Sequence, residues 1–591
     1  MQSAKAVLDV LRERGRRGLP CNELYRQMFN FDLYLLAYGR IYANQGAMTP
    51  GASTETADGM SEAKIKQIIE AMRCERYRFS PARRTFIPKK NGKMRPLGMP
   101  TWPDKLVGEV VRLLLEAYYE PMFSSHSHGF RPGRGCHTAL TEVAKNWTGT
   151  TWFVEGDISD CFGSLDHEVM VRILSERIHD NRFLRLIRNM LKAGYLEDWK
   201  YHDTLSGIPQ GGVVSPVLSN IYLSKLDTFA ETVLIPHYTR GVSRARNPEY
   251  RKLGNRLAQA RKKGDRKKAR EVRQQMRATP AGNPSDPGYR RLRYTRYADD
   301  VLLGFTGPKA EAEAIKDQLA QFLRGELALE LNAAKTLITH ARTRAARYLG
   351  YEIIVQHADH KITKGRRSVN GIVALRVPLD VIKAKRAPYR RHGKPWHRPA
   401  LQNLDDCDII QAYAAEYRGV VGYYLLATDV WRLRALRWDA ETSMLKTLGA
   451  KHQSTVTKMA AKHKAKIQTP YGLRTCFEAR IQRDGKPDLV ARFGGIPLVR
   501  KKGAVLADNA PGPVPYPRKE LIHRLLKRRC ELCGQAGKVL VHQVRKLASL
   551  GEPGPGQPAW AAKMAKMRRK TLMVCRICHD AIHGHPALNT A

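Results

Sequence analysis

Residues 293–305 read RYTRYADDVLLGF and place an Asp-Asp pair between two runs of apolar and β-prone residues. This pattern predicts a β-hairpin that carries the carboxylates of Asp299 and Asp300 at its tip. Carboxylates held close together can bind the two Mg²⁺ ions that nucleotidyl transfer requires, one beside the attacking 3′-hydroxyl and one beside the leaving pyrophosphate. The pair alone is weak evidence for such a site, because turns often carry Asp as a local cap.

Two earlier segments strengthen this interpretation. Residues 153–157, FVEGD, predict a strand that ends at Asp157, a third carboxylate, and Phe162 follows five residues later. Phe162 could stand beside the sugar of a nucleotide, although core packing is the simpler role for it when it is taken alone. Residues 207–216, GIPQGGVVSP, predict a glycine-rich loop that enters a helix, where Gln210 can approach a nucleotide.

Taken in order, these segments match motifs A, B and C of reverse transcriptases. Longer strings resemble group II intron-encoded reverse transcriptase/maturases over nearly the whole chain: RPLGMP at 95–100, SHGFRP at 127–132, EGDI at 155–158, GGVVSPVLSNIY at 211–222 and YLGY at 348–351. The resemblance implies an RNA-dependent DNA polymerase that works with intron RNA, target DNA, an RNA template with a DNA primer, and dNTPs. It also implies a bacterial, cytoplasmic ribonucleoprotein.

The same resemblance assigns roles to single residues. Asp157, Asp299 and Asp300 become the Mg²⁺ ligands. Five residues would bind the nucleotide, namely Lys89, Arg95, Phe162, Gln210 and Lys335. Phe162 would exclude a 2′-hydroxyl, the two cations Lys89 and Arg95 would clamp the triphosphate, and Lys335 would protonate the pyrophosphate unless it is only an exposed helix lysine. Gly163 departs from the family, whose members often carry an acid after the aromatic residue.

The expected fold class is a multidomain α+β chain: a right-hand polymerase of fingers and palm, followed by an α-helical thumb and a small zinc-stapled ββα module. The expected domains are an N-terminal helical extension with the start of the fingers (1–80), fingers and palm (81–360) with a basic insertion at about 237–293, the thumb or maturase X domain (361–470), a DNA-binding region and linker (471–528), and the zinc module (529–591). The Pro/Gly-rich stretch 508–517 is the clearest linker.

Charge indicates the kind of partner. The chain has 102 Lys and Arg against 55 Asp and Glu, a formal net charge of +47, which favours binding to a polyanion such as nucleic acid. Residues 240–293 alone hold 18 Lys and Arg against four acids, so they predict either phosphate contact or a solvated helical hairpin without a partner. No apolar run reaches the roughly 18–20 residues of a membrane span, so we expect no membrane partner.

The C-terminal cysteines predict a metal site. Cys530 and Cys533 form one C-x-x-C pair, and Cys575 and Cys578 form a second, which is the spacing of a tetrahedral structural Zn²⁺ site. Interleaved with them are His542, His579 and His583. This arrangement resembles the HNH endonuclease module of the same family, which implies that the three histidines hold a catalytic divalent ion.

Gln543 makes nuclease activity doubtful. Relatives usually carry a second histidine at this position as general base, whereas an amide cannot accept a proton from water, and the loss of a general base typically costs ~10²–10⁴-fold in rate. No Asn lies between Gln543 and Cys578 to orient the site. A working endonuclease and a DNA-binding module with little nuclease activity therefore both remain open. For the whole chain, the alternatives are a splicing maturase that no longer polymerises and a retron- or defence-type reverse transcriptase.

Overall fold

The protein is described from a computed structural model, which covers residues 2–44, 46–88, 92, 94–197, 200–202, 206–207, 212–358, 361–363, 366–367, 370–483, 486–505, 520–551 and 556–584. It is a multidomain chain of mixed α and β structure. Most of its buried apolar side chains belong to two large cores, and a third, smaller core lies in the C-terminal module. None of the helices in these ranges is both long and apolar enough to cross a membrane.

Four helices organise the N-terminal region: α1 (Ala4–Arg16), α2 (Phe31–Ile41), α3 (Glu62–Arg73) and α4 (Trp102–Tyr119). Each begins at a side chain that accepts a hydrogen bond from the first turn, and these caps are Ser3, Asn30, Ser61 and Thr101. Such caps satisfy backbone N–H groups that have no partner within the helix. Helix α4 is buried along most of its length and packs against α1 and α2.

A four-stranded sheet adjoins these helices. It contains an antiparallel hairpin of β1 (Ala82–Pro88) and β2 (Met94–Met99). The other two strands are β4 (Tyr195–Glu197) and β5 (Lys200–His202), and the strand order is β2-β1-β4-β5. Lys89, between β1 and β2 in the sequence, lies outside the described residues.

A second four-stranded sheet forms the centre of the molecule, with strand order β6-β7-β3-β8 and only antiparallel pairings. Its strands are β3 (Trp152–Asp157), β6 (Arg291–Tyr297), β7 (Asp300–Thr306) and β8 (Leu337–His340). Val154 and Leu303 belong to one large core and Phe153 and Leu302 to the other, so both faces of the sheet are buried. The strand and the hairpin predicted from the sequence are therefore confirmed.

Helices surround the central sheet and connect its strands. They are α5 (Cys136–Asn146), α6 (Cys161–Ser164), α7 (His167–Ser175), α8 (Asn181–Leu191), α9 (Ser215–Phe229), α10 (Ile235–His237) and α13 (Lys309–Leu327). Helices α9 and α13 share the first large core with the sheet. Because α9 begins directly after the glycine-rich segment, the predicted loop-to-helix transition is confirmed at Ser215.

A buried ion pair fixes the sheet to α9. Arg296 of β6 is fully buried, and its guanidinium donates to both carboxylate oxygens of Asp227 at 2.7 and 2.6 Å. The hydroxyl of Tyr294 donates to the same carboxylate at 2.7 Å. Arg296 also donates to the carbonyl of Ala298 at 2.9 Å, so this pair supports the turn that carries the Asp-Asp motif.

The basic insertion is a helical hairpin. Its helices α11 (Pro248–Lys262) and α12 (Arg266–Ala278) begin at the caps Asn247 and Asp265. Arg240 and Arg290 pair as an antiparallel bridge where the insertion leaves and rejoins the central sheet. Only Ala260, Ala269 and Val272 are buried within the two helices, so most of the Lys and Arg side chains face solvent. This arrangement suits either of the two roles predicted for the segment.

The next region is mainly helical, with α14 (Leu379–Arg386), α15 (Asp406–Tyr423), α16 (Arg434–Lys451) and α17 (Val456–His463). Before and among these helices lie β9 (Ala346–Tyr348), β10 (Tyr351–Val355), β11 (Ile362–Thr363), β12 (Arg366–Arg367), β13 (Val373–Arg376), β14 (Arg390–Arg391) and β15 (Lys394–Pro395). Tyr413 and Tyr417 of α15 are buried, and the second large core contains both side chains.

A three-stranded sheet crosses the domain boundary expected near residue 470. Its strands are β16 (Lys464–Thr469), β17 (Gly472–Arg483) and β18 (Lys486–Gly494), in that order. Phe477 and Phe493 are buried in the core of the preceding helices, and the rings of Phe493 and Tyr417 lie 5.4 Å apart. The three strands therefore pack as one unit with α15, across the boundary expected near residue 470.

The C-terminal module contains α18 (Glu520–Leu526), β19 (Leu540–Gln543), α19 (Ala559–Met567), β20 (Thr571–Val574) and α20 (Arg576–Ile582). Strands β19 and β20 pair antiparallel. The module lies against the N-terminal helices: Leu521 and Ile522 are buried in the first large core, and Val541 exchanges backbone hydrogen bonds with Gly59 and Met60 at 2.9 Å each.

We expect the Asp227→Ala substitution to destabilise the protein strongly. It would leave the charge of Arg296 buried without its partner, which typically costs about 3–5 kcal/mol. The melting temperature should fall by about 2–4 °C in a thermal unfolding experiment, because the entropy of unfolding grows with chain length. The matched control is Asp317→Ala on the exposed face of α13, for which we expect almost no change. An unchanged melting temperature for Asp227→Ala would contradict the importance of this ion pair.

Candidate active site

The central sheet brings three carboxylates together. Asp157 ends β3 and lies directly opposite Asp300, the first residue of β7. Asp299 stands beside them in the tight turn between β6 and β7, where Ala298 adopts a left-handed conformation with φ of 54°. A Cβ atom on Gly129 would lie 2.4 Å from the backbone nitrogen of Ala298, so only glycine allows the neighbouring segment to approach this turn so closely.

The three carboxylates repel one another. Burial and the charges of Asp299 and Asp157 raise the pKa of Asp300 to about 6. Burial, followed by the charge of Asp157, also raises the pKa of Asp299. A divalent cation would relieve this repulsion, and carboxylate oxygens are the ligands that Mg²⁺ prefers. The residues present therefore fit the predicted Mg²⁺ site.

Two of the predicted nucleotide-binding cations lie close to the carboxylates. The ammonium group of Lys335 is 2.8 Å from Oδ2 of Asp157, while 65% of its side chain remains exposed. This hydrogen bond raises the pKa of Lys335. The positive charge of Arg95 on β2 partly offsets the rise in the pKa of Asp299, so Arg95 acts electrostatically on the site. Lys335 is thus both exposed and directed at a carboxylate.

Phe162 lies beside the carboxylate turn in a group of aromatic rings. Its ring centroid is 6.3 Å from that of Phe130, which in turn is 6.4 Å from that of Tyr297. Gly163 follows it, and a Cβ atom there would lie 2.2 Å from Oδ2 of Asp160. A side chain at position 163 would therefore require the carboxylate of Asp160 to move. Gln210 lies outside the described residues.

The four C-terminal cysteines form a compact cluster, as predicted. The sulfur atoms of Cys530, Cys533, Cys575 and Cys578 all lie within 4.8 Å of one another. Burial opposes ionisation of Cys530, but backbone N–H groups, among them those of Cys533 and Cys575, lower the pKa of its thiol to about 6. A thiolate is the form that binds zinc, so the donor set fits a structural Zn²⁺ ion.

The three histidines also meet, and they do so around a residue that the sequence analysis missed. Ligand atoms of His542, His579, His583 and Asp58 lie within 4.8 Å of one another. Asp58 belongs to the connection between α2 and α3, far from the histidines along the chain. Nothing in the local sequence marks it, because a single Asp in a turn-rich segment is a common surface residue.

Gln543 contacts the N-terminal region through both its side chain and its backbone. Its side chain is nearly buried, and its amide nitrogen donates to the carbonyl of Tyr42 at 2.8 Å. Its backbone N–H donates to Oδ1 of Asp58 at 2.7 Å. Gln543 therefore helps to hold the module against the N-terminal region.

Sequence comparisons agree with this geometry. Residues 87–239 match the reverse transcriptase (RNA-dependent DNA polymerase) family, residues 375–495 match the type II intron maturase family, and residues 530–579 match the AI2M/AI1M-like HNH endonuclease family. The first match ends where the basic insertion begins and so does not extend to Asp299 and Asp300. In the structure, β7 begins at Asp300 and pairs with β3, and β3 lies within the matched residues 87–239.

Several relatives are similar over nearly the whole chain. The group II intron-encoded protein LtrA of Lactococcus lactis subsp. cremoris is 37% identical over 99% of this chain and 100% of its own length. A putative COX1/OXI3 intron 1 protein of Saccharomyces cerevisiae is 30% identical over 100% of this chain and 72% of its own. An uncharacterized 91 kDa protein in the cob intron of Schizosaccharomyces pombe is 33% identical over 98% and 73%.

The three carboxylates and the first family match define the class of protein, an RNA-directed DNA polymerase of the reverse transcriptase type. The full-length similarity to LtrA narrows this class. The chain belongs to the group II intron-encoded reverse transcriptase/maturases, as the sequence motifs predict. The alternative of a retron-type enzyme does not account for the maturase and HNH matches at residues 375–495 and 530–579.

We expect Asp300→Asn to stabilise the metal-free protein and to abolish polymerisation. Because folding raises the pKa of this carboxyl, its ionised form destabilises the fold at neutral pH. Removing the charge should add on the order of 1 kcal/mol to the free energy of unfolding at pH 7, after allowance for solvent screening. The gain should fade as the pH falls below about 6, where the natural carboxyl is already protonated.

The measurement is thermal unfolding in a chelating buffer at pH 7 and at pH 5. Glu313→Gln on α13 is the matched control, because its carboxylate pairs only with exposed Lys309 and should change little. A lower melting temperature for Asp300→Asn at pH 7 would show that the carboxylates do not repel one another in the folded protein.

Proposed function

We propose that this reverse transcriptase copies the RNA of its group II intron into DNA at a target site, with Asp157, Asp299 and Asp300 as the catalytic carboxylates. The pairing of Asp157 with Asp300 across adjacent strands is the observation that carries the proposal. Bound Mg²⁺ supplies the activation of the primer 3′-hydroxyl and the neutralisation of the leaving pyrophosphate. The fixed strand register holds the carboxylate oxygens in place before substrate arrives.

Further side chains complete the nucleotide site in this proposal. Lys335, 2.8 Å from Asp157, donates a proton to the leaving pyrophosphate, and Arg95 binds the triphosphate. Phe162 excludes the 2′-hydroxyl of a ribonucleotide by its bulk. Lys89 and Gln210 remain predicted nucleotide-binding residues, on the basis of the sequence motifs alone.

The proposal also assigns each part of the chain to a domain. We assign residues 1–80 to the N-terminal extension and start of the fingers, and residues 81–360 to fingers and palm, with the central sheet as the palm. Helices α14–α17 together with the sheet β16–β18 form the thumb or maturase domain, which shifts its end from 470 to about 494. Residues 495–528 are then the connecting region, and residues 529–591 the zinc module.

RNA binding rests on charge and position. The exposed cations of α11 and α12 and those of the maturase region supply phosphate affinity for the intron RNA, while RNA shape supplies selectivity. Binding energy then favours the folded form of the intron, and the RNA itself carries out the splicing chemistry.

For the C-terminal module we propose target-DNA binding with little nuclease activity. The cysteine cluster holds a structural Zn²⁺ ion, which a module of this size needs for stability. The buried amide of Gln543, hydrogen-bonded to the carbonyl of Tyr42, cannot serve as a base toward water. The divalent ion that the family resemblance assigns to His542, His579 and His583 therefore lacks its general base in this chain.

We expect Asp299→Ala to lower template-primed cDNA synthesis by at least about 10³-fold, since it removes a ligand of the catalytic ions. Binding of intron RNA, and assisted splicing at low Mg²⁺ concentration, should be unchanged because the maturase region is untouched. Primer extension and splicing assays on the same preparations measure both effects. Asp9→Ala, at an exposed position of α1, is the control. Normal cDNA synthesis by Asp299→Ala would refute the assignment of the catalytic site.

Nicking of end-labelled target DNA tests the proposal for the module. With the protein assembled on its intron RNA, we expect the natural chain to bind the DNA and to nick it at least about 10²-fold more slowly than a Gln543→His variant. The matched control is Gln557→His, which introduces a histidine elsewhere in the same module. Equal and efficient nicking by the natural chain would show that another group replaces the base.

A further inference from the structure

Asp58 lies where the N-terminal region touches the C-terminal module. The backbone N–H of Gly59 donates to the carbonyl of Val541, and the N–H of Val541 donates to the carbonyl of Met60, each at 2.9 Å. The N–H of Gln543 donates to Oδ1 of Asp58 at 2.7 Å. These bonds fix the carboxylate of Asp58 in front of the histidines of the module.

The spacing of the four side chains suits a single small ion. The Asp58 oxygens lie 3.3 Å from Nδ1 of His542, 3.4 Å from Nε2 of His579 and 2.9 Å from Nε2 of His583. Two atoms bonded at about 2.0–2.1 Å to one tetrahedral zinc ion lie roughly 3.3 Å apart. The carboxylate of Asp58 is therefore already close to the ligand-to-ligand separation from each of the three histidines.

Buried polar atoms at this place lack ordinary partners. His542 is 3% exposed, and neither of its ring nitrogens makes a hydrogen bond of regular geometry within the part of the chain that the structure describes. The same holds for Nε2 of His579. Buried polar groups nearly always have a partner, since leaving one unsatisfied typically costs about 1–3 kcal/mol. A bound cation would satisfy Nδ1 of His542 and Nε2 of His579 together.

The donor set selects the chemical class of the ion. Three imidazole nitrogens and one carboxylate oxygen suit first-row transition metals, and above all Zn²⁺, whereas Mg²⁺ and Ca²⁺ prefer oxygen ligands. Catalytic zinc sites keep one position open for water or substrate, but structural sites are closed by four protein ligands. With Asp58 in place, the set of four is complete.

We propose that Asp58, His542, His579 and His583 form a second zinc site, which fastens the C-terminal module to the N-terminal region. The site is distinct from the cysteine cluster and joins two parts of the chain that are remote in sequence. Asp58 fills the position that a DNA phosphate would need on a four-coordinate ion, so DNA cleavage by this module requires Asp58 to leave. The inference does not depend on the polymerase assignment.

Metal content of the purified full-length protein provides the test. We expect two tightly bound zinc ions per chain in the natural protein. Asp58→Asn keeps the size of the side chain and an acceptor for the N–H of Gln543 but loses the charge, and it should weaken binding of one ion by at least about 10-fold. His583→Ala, made on the other side of the contact, should weaken the same ion. Cys533→Ser should instead remove the other ion.

The matched control is Glu55→Gln. Glu55 lies on the same connection as Asp58, but its carboxylate pairs with Lys64 at 3.1 Å, so both ions should remain. One zinc ion per natural chain, or two equally tight ions in Asp58→Asn, would overturn the proposal.

Hydrogen exchange tests whether the ion holds the C-terminal module against the N-terminal region or only binds there. Loss of the ion in Asp58→Asn should speed exchange at the backbone amides of Gly59 and Val541, which bridge the contact, while amides of the central sheet stay protected. If the metal is lost and these two amides exchange as in the natural protein, the ion does not hold the module in place, and that part of the proposal fails.

Discussion

The antiparallel pairing of β3 with β7 is the constraint on which the catalytic part of the molecule depends. It sets Asp157 opposite Asp300 and leaves Asp299 beside them, although three carboxylates repel one another and the pKa of Asp300 rises to about 6. A fold keeps such a costly arrangement only when its surroundings are rigid. Here both faces of the sheet are buried in separate cores, and the buried pair of Arg296 and Asp227 supports the turn.

This rigidity also explains how a large insertion is tolerated within the polymerase. The basic hairpin of α11 and α12 departs near Arg240 and returns at Arg290, where the two residues pair as a bridge. Because its ends meet at the edge strand β6, the hairpin adds an exposed, positively charged surface without disturbing the register of β7 on β3. The sheet holds the three carboxylates in register, and the hairpin adds exposed cations at its edge.

The C-terminal module is held in place by contacts with the N-terminal region. Its cysteine cluster is self-contained, whereas its histidines face a residue of the N-terminal region. The side chain of Gln543 donates to the carbonyl of Tyr42, and its backbone N–H donates to Oδ1 of Asp58. The strand that carries His542 therefore also attaches the module to the N-terminal region.

The sequence by itself determined the strands that carry Asp157, Asp299 and Asp300, the insertion, and the two C-x-x-C pairs, because strand alternation, turn chemistry and ligand spacing are local properties of the chain. Only the tertiary structure decided that Asp58 meets the three histidines and that strands β16–β18 pack on α15. These are contacts between segments without a shared local pattern, and packing of the cores selects them. Sequence periodicity records which face of an element is buried, but not which distant element covers it.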